Sequence, residues 1–258
     1  MKIGFCQFEI NHKATTKNLE TILSLLNNIQ ADLIVLPELA LTGYYFEHKQ
    51  ELIEHSNIIN TKAIKELTTL SKKTGTTYVI GIGEVEDQKL FNTALVINHK
   101  GVIGKHRKIN LTNNETIFDA GDSVQVIDLG NYKLGIAICF ETWFPEIFRI
   151  LSDKGADLIV SPANFGGPWT LDVARVRALE NSIPVILTNR LGSELIQGEK
   201  DDFRGESRII DGYGNIILSA EKEPYVGIIE IDLNDFQRHR NLISDDTLKE
   251  RKKYIEIK

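Results

Sequence analysis

The sequence has few cysteines, no long apolar run and no excess of basic residues. Its two cysteines, Cys6 and Cys139, lie far apart and without a cluster of cysteine or histidine at ligand spacing, so we expect no metal site. No window approaches the ~20 apolar residues of a membrane span. The amino terminus "MKIGFCQFEINHK" lacks the cleavage site of a signal peptide. These absences predict a cytoplasmic protein that does not enter the membrane and whose thiols stay reduced.

The charge balance bears on whether the protein binds nucleic acid. A net charge of −6 and an isoelectric point near 5.6 argue against nucleic-acid binding, which needs a basic face. The terminal run "LKERKKYIEIK" is basic, and we interpret it as a solvated segment. The "GIG" at 81–83 lacks the GxGxxG pattern at the start of a helix, so we expect no dinucleotide cofactor. A content of 42% hydrophobic and 26% charged residues is typical of a globular domain.

The chain alternates strand and helix patterns, and its two halves resemble each other. Residues 2–10 read as a strand, residues 15–30 have helical apolar spacing, and "ADLIVLPE" reads as a buried strand. "ADLIVLPELA" at 31–40 returns as "ADLIVSPANF" at 156–165, and 92–107 resembles 206–221. This predicts an α/β fold of two related halves, with two sheets face to face and helices outside; the alternative is look-alike strands without duplication. No linker separates the halves, which predicts one domain over 1–258.

Cys139 lies in "GIAICFETWFPEIFR", between a strand pattern and a helix that starts near Pro145. A thiol beside a helix N-terminus can have a lowered pKa and act as a nucleophile. The alternative is a buried core residue, which the local pattern alone favours. Cys6 lies inside the first strand, and we interpret it as a core residue.

Two charged residues upstream of Cys139 favour its interpretation as a nucleophile over that as a core residue. Glu38 ends a buried strand, where α/β sheets bind ligands, although it could also be a helix cap or a solvated acid. Strand alternation in "GKHRKINL" turns Lys108 away from Arg107 and inward, where it would favour a thiolate and stabilise an oxyanion; the alternative is a solvated basic face. The six histidines are expected on loops and polar helix faces, without a catalytic role.

Three ordered motifs, "LPELALTGY", "HRKINL" and "GIAICFETWFPE", resemble those of the nitrilase superfamily of carbon-nitrogen hydrolases. The resemblance covers essentially the whole chain and implies a catalytic Glu38–Lys108–Cys139 triad. The segment "NNETIFDAG" offers Glu115 as the second glutamate of many members. The family further implies a four-layer α-β-β-α sandwich, no cofactor, and a homodimer or higher homo-oligomer. The candidate interface elements are the helix after Pro145 and "RVRALENS".

The resemblance implies hydrolysis of a small linear amide to acid and ammonia through a cysteine thioester. One alternative is an N-carbamoyl amine or amino acid amidohydrolase, because "TWFPE" is similar to the cysteine motif of enzymes that act on carbamoyl polyamines. A nitrilase and an ammonia-supplying glutaminase subunit are less favoured alternatives. An alternative outside enzymes is a catalytically silent binding protein on the same scaffold.

Residues that follow strand ends or the nucleophile turn are candidates for substrate binding. They are Tyr44, Phe140, Trp143, Asn164 and Phe165, and the alternative is packing between sheet and helix. Trp169 is expected in the core or an interface. This chain departs from the family at Asn110, Phe140, Glu141 and Trp143, and we expect these positions to bear on the substrate because they lie beside the reacting centre.

Overall fold

The chain folds into two six-stranded sheets and a separate two-stranded hairpin, as seen in a computed structural model that describes residues 1–196 and 198–237. The strands are β1 (Lys2–Gln7), β2 (Leu33–Val35), β3 (Thr77–Glu86), β4 (Lys89–Asn98), β5 (Gly101–Arg107), β6 (Val126–Asp128), β7 (Lys133–Ile136), β8 (Leu158–Pro162), β9 (Val185–Thr188), β10 (Ser193–Ile196), β11 (Glu199–Asp202), β12 (Arg208–Ile210), β13 (Ile216–Ser219) and β14 (Tyr225–Glu230). The helices are α1 (Thr15–Leu26), α2 (Lys49–Thr74), α3 (Pro145–Asp153), α4 (Trp169–Asn181) and a 3-10 turn (Cys139–Trp143).

The two sheets have the same internal arrangement. Three parallel strands, β1-β2-β3 in the first sheet and β7-β8-β9 in the second, are each followed by an antiparallel hairpin, β4-β5 or β12-β13. The other edge is an antiparallel strand, β14 or β6. The repeated segments of the sequence therefore occupy equivalent places, since 31–40 contains β2 and 156–165 contains β8.

Side-chain alternation in the strands separates four layers. In β1, Ile3 and Phe5 belong to a buried cluster that spans both sheets, whereas Cys6 faces the other way among residues of α1 and α2. On the far side, α3 and α4 contribute buried residues such as Phe148 and Ala178 to the cluster on the second sheet. The predicted α/β fold and its four-layer α-β-β-α sandwich are confirmed.

The expectations for Trp169, the C-terminal residues, membrane spans and the single domain are not all confirmed. Trp169 is 67% exposed, so the suggestion that it belongs to the core is wrong. The basic run 248–258 and His239 lie outside the described residues. None of the described helices is long and apolar enough to cross a membrane. The single domain over 1–258 stays a prediction.

Candidate active site

Four side chains singled out by the sequence meet where strands of both sheets end. Glu38 follows β2, Lys108 follows β5, and Cys139 opens the 3-10 turn after β7. The Lys108 ammonium donates to Glu38 Oε1 at 2.7 Å and to Glu115 Oε1 at 2.8 Å. Lys108, Glu38 and Glu115 are fully buried, so the lysine is held between two carboxylates in a region of low dielectric.

Asn92, which the sequence analysis did not single out, connects the two carboxylates. Its Nδ2 donates to Glu38 Oε1 at 2.7 Å and to Glu115 Oε1 at 2.8 Å. Asn92 is fully buried in β4, where its neighbours in "KLFNTALVIN" are mostly apolar. An amide between apolar residues in the middle of a strand needs buried partners, and this signal could have identified Asn92.

The backbone presents Cys139 on a strained turn. Cys139 has φ +47°, in the left-handed region that residues with a Cβ rarely adopt. Its Sγ donates to the backbone oxygen of Asn164 at 3.6 Å. Leu39, directly after Glu38, also has φ +47°. Both the carboxylate and the thiol are thus placed by sharp turns at the ends of buried strands.

The protonation of the site follows from its burial. Burial and the charge of Glu38 raise the pKa of the Cys139 thiol well above its usual value, and Lys108 offsets this only in part. The expected lowering of this pKa is therefore wrong in direction, and the resting thiol is neutral. Burial also raises the pKa of Glu38, while its Oε2 has no hydrogen-bond partner among the described residues.

The pKa of Lys108 is set by its charged neighbours rather than by burial. Burial alone would lower the pKa of Lys108, but Glu38 and Glu115 outweigh it and hold that pKa well above the usual lysine value. Lys108 is therefore a fixed cation, and the site can pass a proton between the thiol and a carboxylate beside it.

Two of the predicted substrate-binding residues, Tyr44 and Asn164, have contacts with this network. The hydroxyl of Tyr44 is 3.0 Å from Thr112 Oγ1, and the N–H of Thr112 donates to Glu115 Oε2 at 2.8 Å. Asn164 donates from Nδ2 to the backbone oxygen of Glu38 at 3.1 Å. Phe165 is buried directly after Asn164. The contacts place Tyr44 and Asn164 beside the reacting groups, and substrate binding by Tyr44, Asn164 and Phe165 stays a prediction.

The other two candidates face the helical layer. Phe140 packs edge-on against Phe144, with ring centroids 5.1 Å apart. Trp143 is 42% exposed, and its indole N–H donates to Thr170 Oγ1 in α4 at 3.3 Å. Packing between sheet and helix was the alternative interpretation of Phe140 and Trp143, and these contacts are of that kind. Substrate binding by the two residues stays a prediction.

A buried acid–histidine pair lies next to the nucleophile turn. His106 is buried in β5, so its expected place on a loop or a polar helix face is wrong. Its Nε2 lies 2.9 Å from Glu141 Oε2. Glu141 is also fully buried, and it is bound to its own chain at the position where we expected an influence on the substrate.

A buried ion pair between Arg190 and Glu194 holds the loop of Tyr44, and sequence reasoning missed this pair. The Glu194 carboxylate accepts the N–H of Tyr44 at 3.0 Å and that of Tyr45 at 2.8 Å. Arg190 is bonded to Glu194 and lies 4.2 Å above the ring of Phe203. The signal was present in "TNRLGSE", where Arg190 precedes an acid four residues later. Among the described residues, no group of histidine, cysteine and acids is arranged to hold a metal ion.

Comparison with known proteins agrees with this architecture. Residues 2–241 match the family model of carbon-nitrogen hydrolase. The chain is 38% identical over 226 residues to a nitrilase of Pyrococcus abyssi, covering 86% of this chain and 85% of that protein. It is 31% identical over 224 residues to omega-amidase NIT2 of Xenopus tropicalis, covering 79% and 77%.

A solved structure shows the same fold. The carbon-nitrogen hydrolase of Helicobacter pylori G27 superposes with a TM-score of 0.85 over 94% of this chain and 93% of that one, at 23% identity. The match to the family model covers nearly the whole described chain. The chain therefore belongs to the carbon-nitrogen hydrolase family of the nitrilase superfamily, and it is an enzyme of this class.

Proposed function

We propose that this chain hydrolyses the carbon–nitrogen bond of a small linear amide to an acid and ammonia, with Cys139 as the nucleophile. The observation that carries the proposal is the buried Glu38–Lys108–Glu115 cluster, whose charges act on the neutral Cys139 thiol. A thiol needs a base to become a nucleophile, and an acyl transfer needs donors for the oxyanion. The cluster offers both.

The first half of the reaction forms a thioester. Glu38 takes the thiol proton, and Cys139 Sγ attacks the carbonyl carbon. The Lys108 ammonium and the backbone N–H after Cys139 stabilise the oxyanion. The carbon–nitrogen bond then breaks as Glu38 returns the proton to the leaving nitrogen, which departs as ammonia.

The second half of the reaction restores the enzyme. Glu38 takes a proton from water, the resulting hydroxide attacks the thioester carbon, and the carbon–sulfur bond breaks. The acid leaves and the thiol regains its proton. Glu115 holds Lys108 in place through contacts of 2.8 and 2.9 Å, so it acts on the oxyanion through the lysine.

The experiment is a measurement of ammonia release from a panel of amides, N-carbamoyl compounds and nitriles with matched carbon skeletons. Carbamoyl cleavage, which "TWFPE" keeps as the second candidate, releases carbon dioxide as well as ammonia. Faster turnover of the nitriles or of glutamine would favour a nitrilase or an ammonia-supplying subunit. No turnover of any compound would leave a silent binding protein.

The covalent step has its own test. Glu38→Gln removes the base of both halves of the reaction, so the acyl group is supplied as an activated ester, whose leaving group needs no proton; mass spectrometry should then find an acyl adduct that persists on the peptide of Cys139 because no base activates water. The exposed acid of α2 gives a matched control, Glu54→Gln, which should turn over normally without accumulating an adduct. An adduct on Cys6 would contradict the assignment.

We further propose that the chain forms a homodimer or a higher homo-oligomer through α3 and α4. An apolar surface on these helices and the loops beside them is exposed, comprising Trp143, Ile150, Trp169, Val176 and Leu179. Such patches mark interfaces between proteins. Sedimentation should show an oligomer that Leu179→Arg converts to a monomer; a monomeric natural chain would contradict this. Cytoplasmic location stays a prediction.

A further inference from the structure

Glu141 connects the two segments that carry Cys139 and Lys108. Its Oε2 accepts the backbone N–H of Ile138 at 2.6 Å, and its Oε1 accepts the backbone N–H of Ile109 at 2.8 Å. Ile138 directly precedes Cys139, and Ile109 directly follows Lys108. A single carboxylate thus joins the backbone of the nucleophile turn to the backbone of the lysine segment.

His106 supplies a third contact to the same carboxylate. Its Nε2 lies 2.9 Å from Glu141 Oε2, within hydrogen-bond distance. Lys108 follows β5 two residues after His106, and its N–H continues the pairing with β4 at Asn92, so the side chains of His106 and Lys108 lie on the same side of the sheet. Since β5 belongs to the first sheet and the nucleophile turn follows the second, these contacts bridge the sheets.

We propose that Glu141 is a positioning residue that sets the placement of the Lys108 ammonium relative to the Cys139 thiol, without touching the substrate. The inference rests on the proposed function of these two groups. Glu141 is fully buried, and both its oxygens are engaged with the protein's own chain. Its action is therefore on the geometry of the reacting groups, where a misplacement of about 1 Å costs about 10²-fold in rate.

The test is Glu141→Gln, because an amide has the shape of the carboxylate but only one acceptor. One of the two backbone N–H groups would then face the NH₂ group, which donates. We expect kcat to fall about 10- to 100-fold while KM stays within about threefold. The loss should be equal for short, branched and aromatic amides, since the displaced groups act on every substrate.

The matched control is Glu146→Gln, the same change on an exposed acid at the start of α3, which should leave kcat unchanged. An effect mainly on KM, or losses that differ between substrates, would place Glu141 in the substrate pocket and overturn the proposal. A lower melting temperature with normal kcat per folded molecule would show a merely structural role and overturn it too.

A second variant keeps the test valid should the glutamine protein fail to fold. Glu141→Asp retains two acceptors but is one methylene shorter, so it can support the backbone groups only in part. We expect its kcat to lie between those of the natural chain and Glu141→Gln. An aspartate variant with normal kcat and a raised KM would contradict the proposal.

A measurement without substrate separates this proposal from the proposed function. Lys108 favours the thiolate of Cys139, so its displacement should slow alkylation of Cys139 by iodoacetamide, by about tenfold in Glu141→Gln. If the natural chain released no ammonia from any amide, the proposed function would fail while the alkylation rates still decided the role of Glu141. An unchanged alkylation rate would overturn the positioning role.

Discussion

Cys6 and Cys139 are both buried free thiols, and yet their surroundings give them different chemistry. Burial raises the pKa of Cys6 to about 12, and burial also raises the pKa of Cys139. Cys6 lies in an extended strand among apolar side chains, whereas Cys139 has a left-handed backbone and feels the charges of Glu38 and Lys108. Burial alone therefore does not distinguish Cys6 from Cys139, the proposed nucleophile. The two thiols differ in having, or lacking, a carboxylate and an ammonium group in the same buried region, and Cys139 has both in Glu38 and Lys108.

The largest expected difference between the thiols is in turnover. Cys139→Ala should lower kcat by more than ~10⁴-fold, because Cys6, the other thiol, lies among apolar side chains without a base or a cation beside it, while Cys6→Ala should leave kcat within about twofold. The measurement is ammonia release by both variants, with circular dichroism to confirm that each is folded. Comparable turnover by Cys139→Ala would break the comparison and the assigned nucleophile with it.

The next expected difference is in reactivity under native conditions. Iodoacetamide should alkylate Cys139 at least about 10²-fold faster than Cys6, since Cys139 is 8% exposed beside a base and Cys6 reacts only after local opening of the strand. Peptide mass spectrometry over time gives both rates in one sample. In denaturant the two rates should become equal, which controls for intrinsic reactivity. Equal native rates would instead favour a silent binding protein.

A smaller expected effect is the pH dependence of kcat/KM, which the base beside Cys139 controls and to which Cys6 does not contribute. Glu38 must be ionised to accept the thiol proton, and burial raises its pKa above the ordinary carboxyl value of about 4.3. Below that raised pKa, kcat/KM should fall about tenfold for each pH unit, with an inflection above pH ~4.3. A profile from pH 4 to 8 on protein shown to stay folded measures it. An inflection at or below ~4.3 would contradict Glu38 as the base.

The sequence was sufficient to predict the layers of the fold and to single out motif residues that the structure brings together, because both depend on local patterns; the catalytic roles of these residues stay predictions. Strand alternation and helical spacing are local, and Glu38, Lys108 and Cys139 each stand in a motif of their own. The supporting contacts are of another kind. Glu194 binds the N–H of Tyr44 from 150 residues away, and Asn92 contacts Glu38 from 54 residues away.

Such contacts depend on how strands from distant parts of the chain come together, which no local pattern specifies. The pKa of Cys139 was mispredicted for the same reason. A nearby helix start and a cation are visible in the sequence, but the extent of burial is decided by packing, and burial is the larger effect.

The smallest expected effect concerns stability and compares the two thiols as hydrogen-bond donors. Cys6→Ser places a hydroxyl among apolar side chains, where an unsatisfied polar group costs about 1–3 kcal/mol. Cys139→Ser should cost less than about 1 kcal/mol, since the carbonyl oxygen of Asn164 that accepts from the thiol can accept from the hydroxyl. Urea unfolding of both variants measures the difference. A Cys139→Ser variant as destabilised as Cys6→Ser would show that the turn depends on sulfur packing rather than on its polar surroundings.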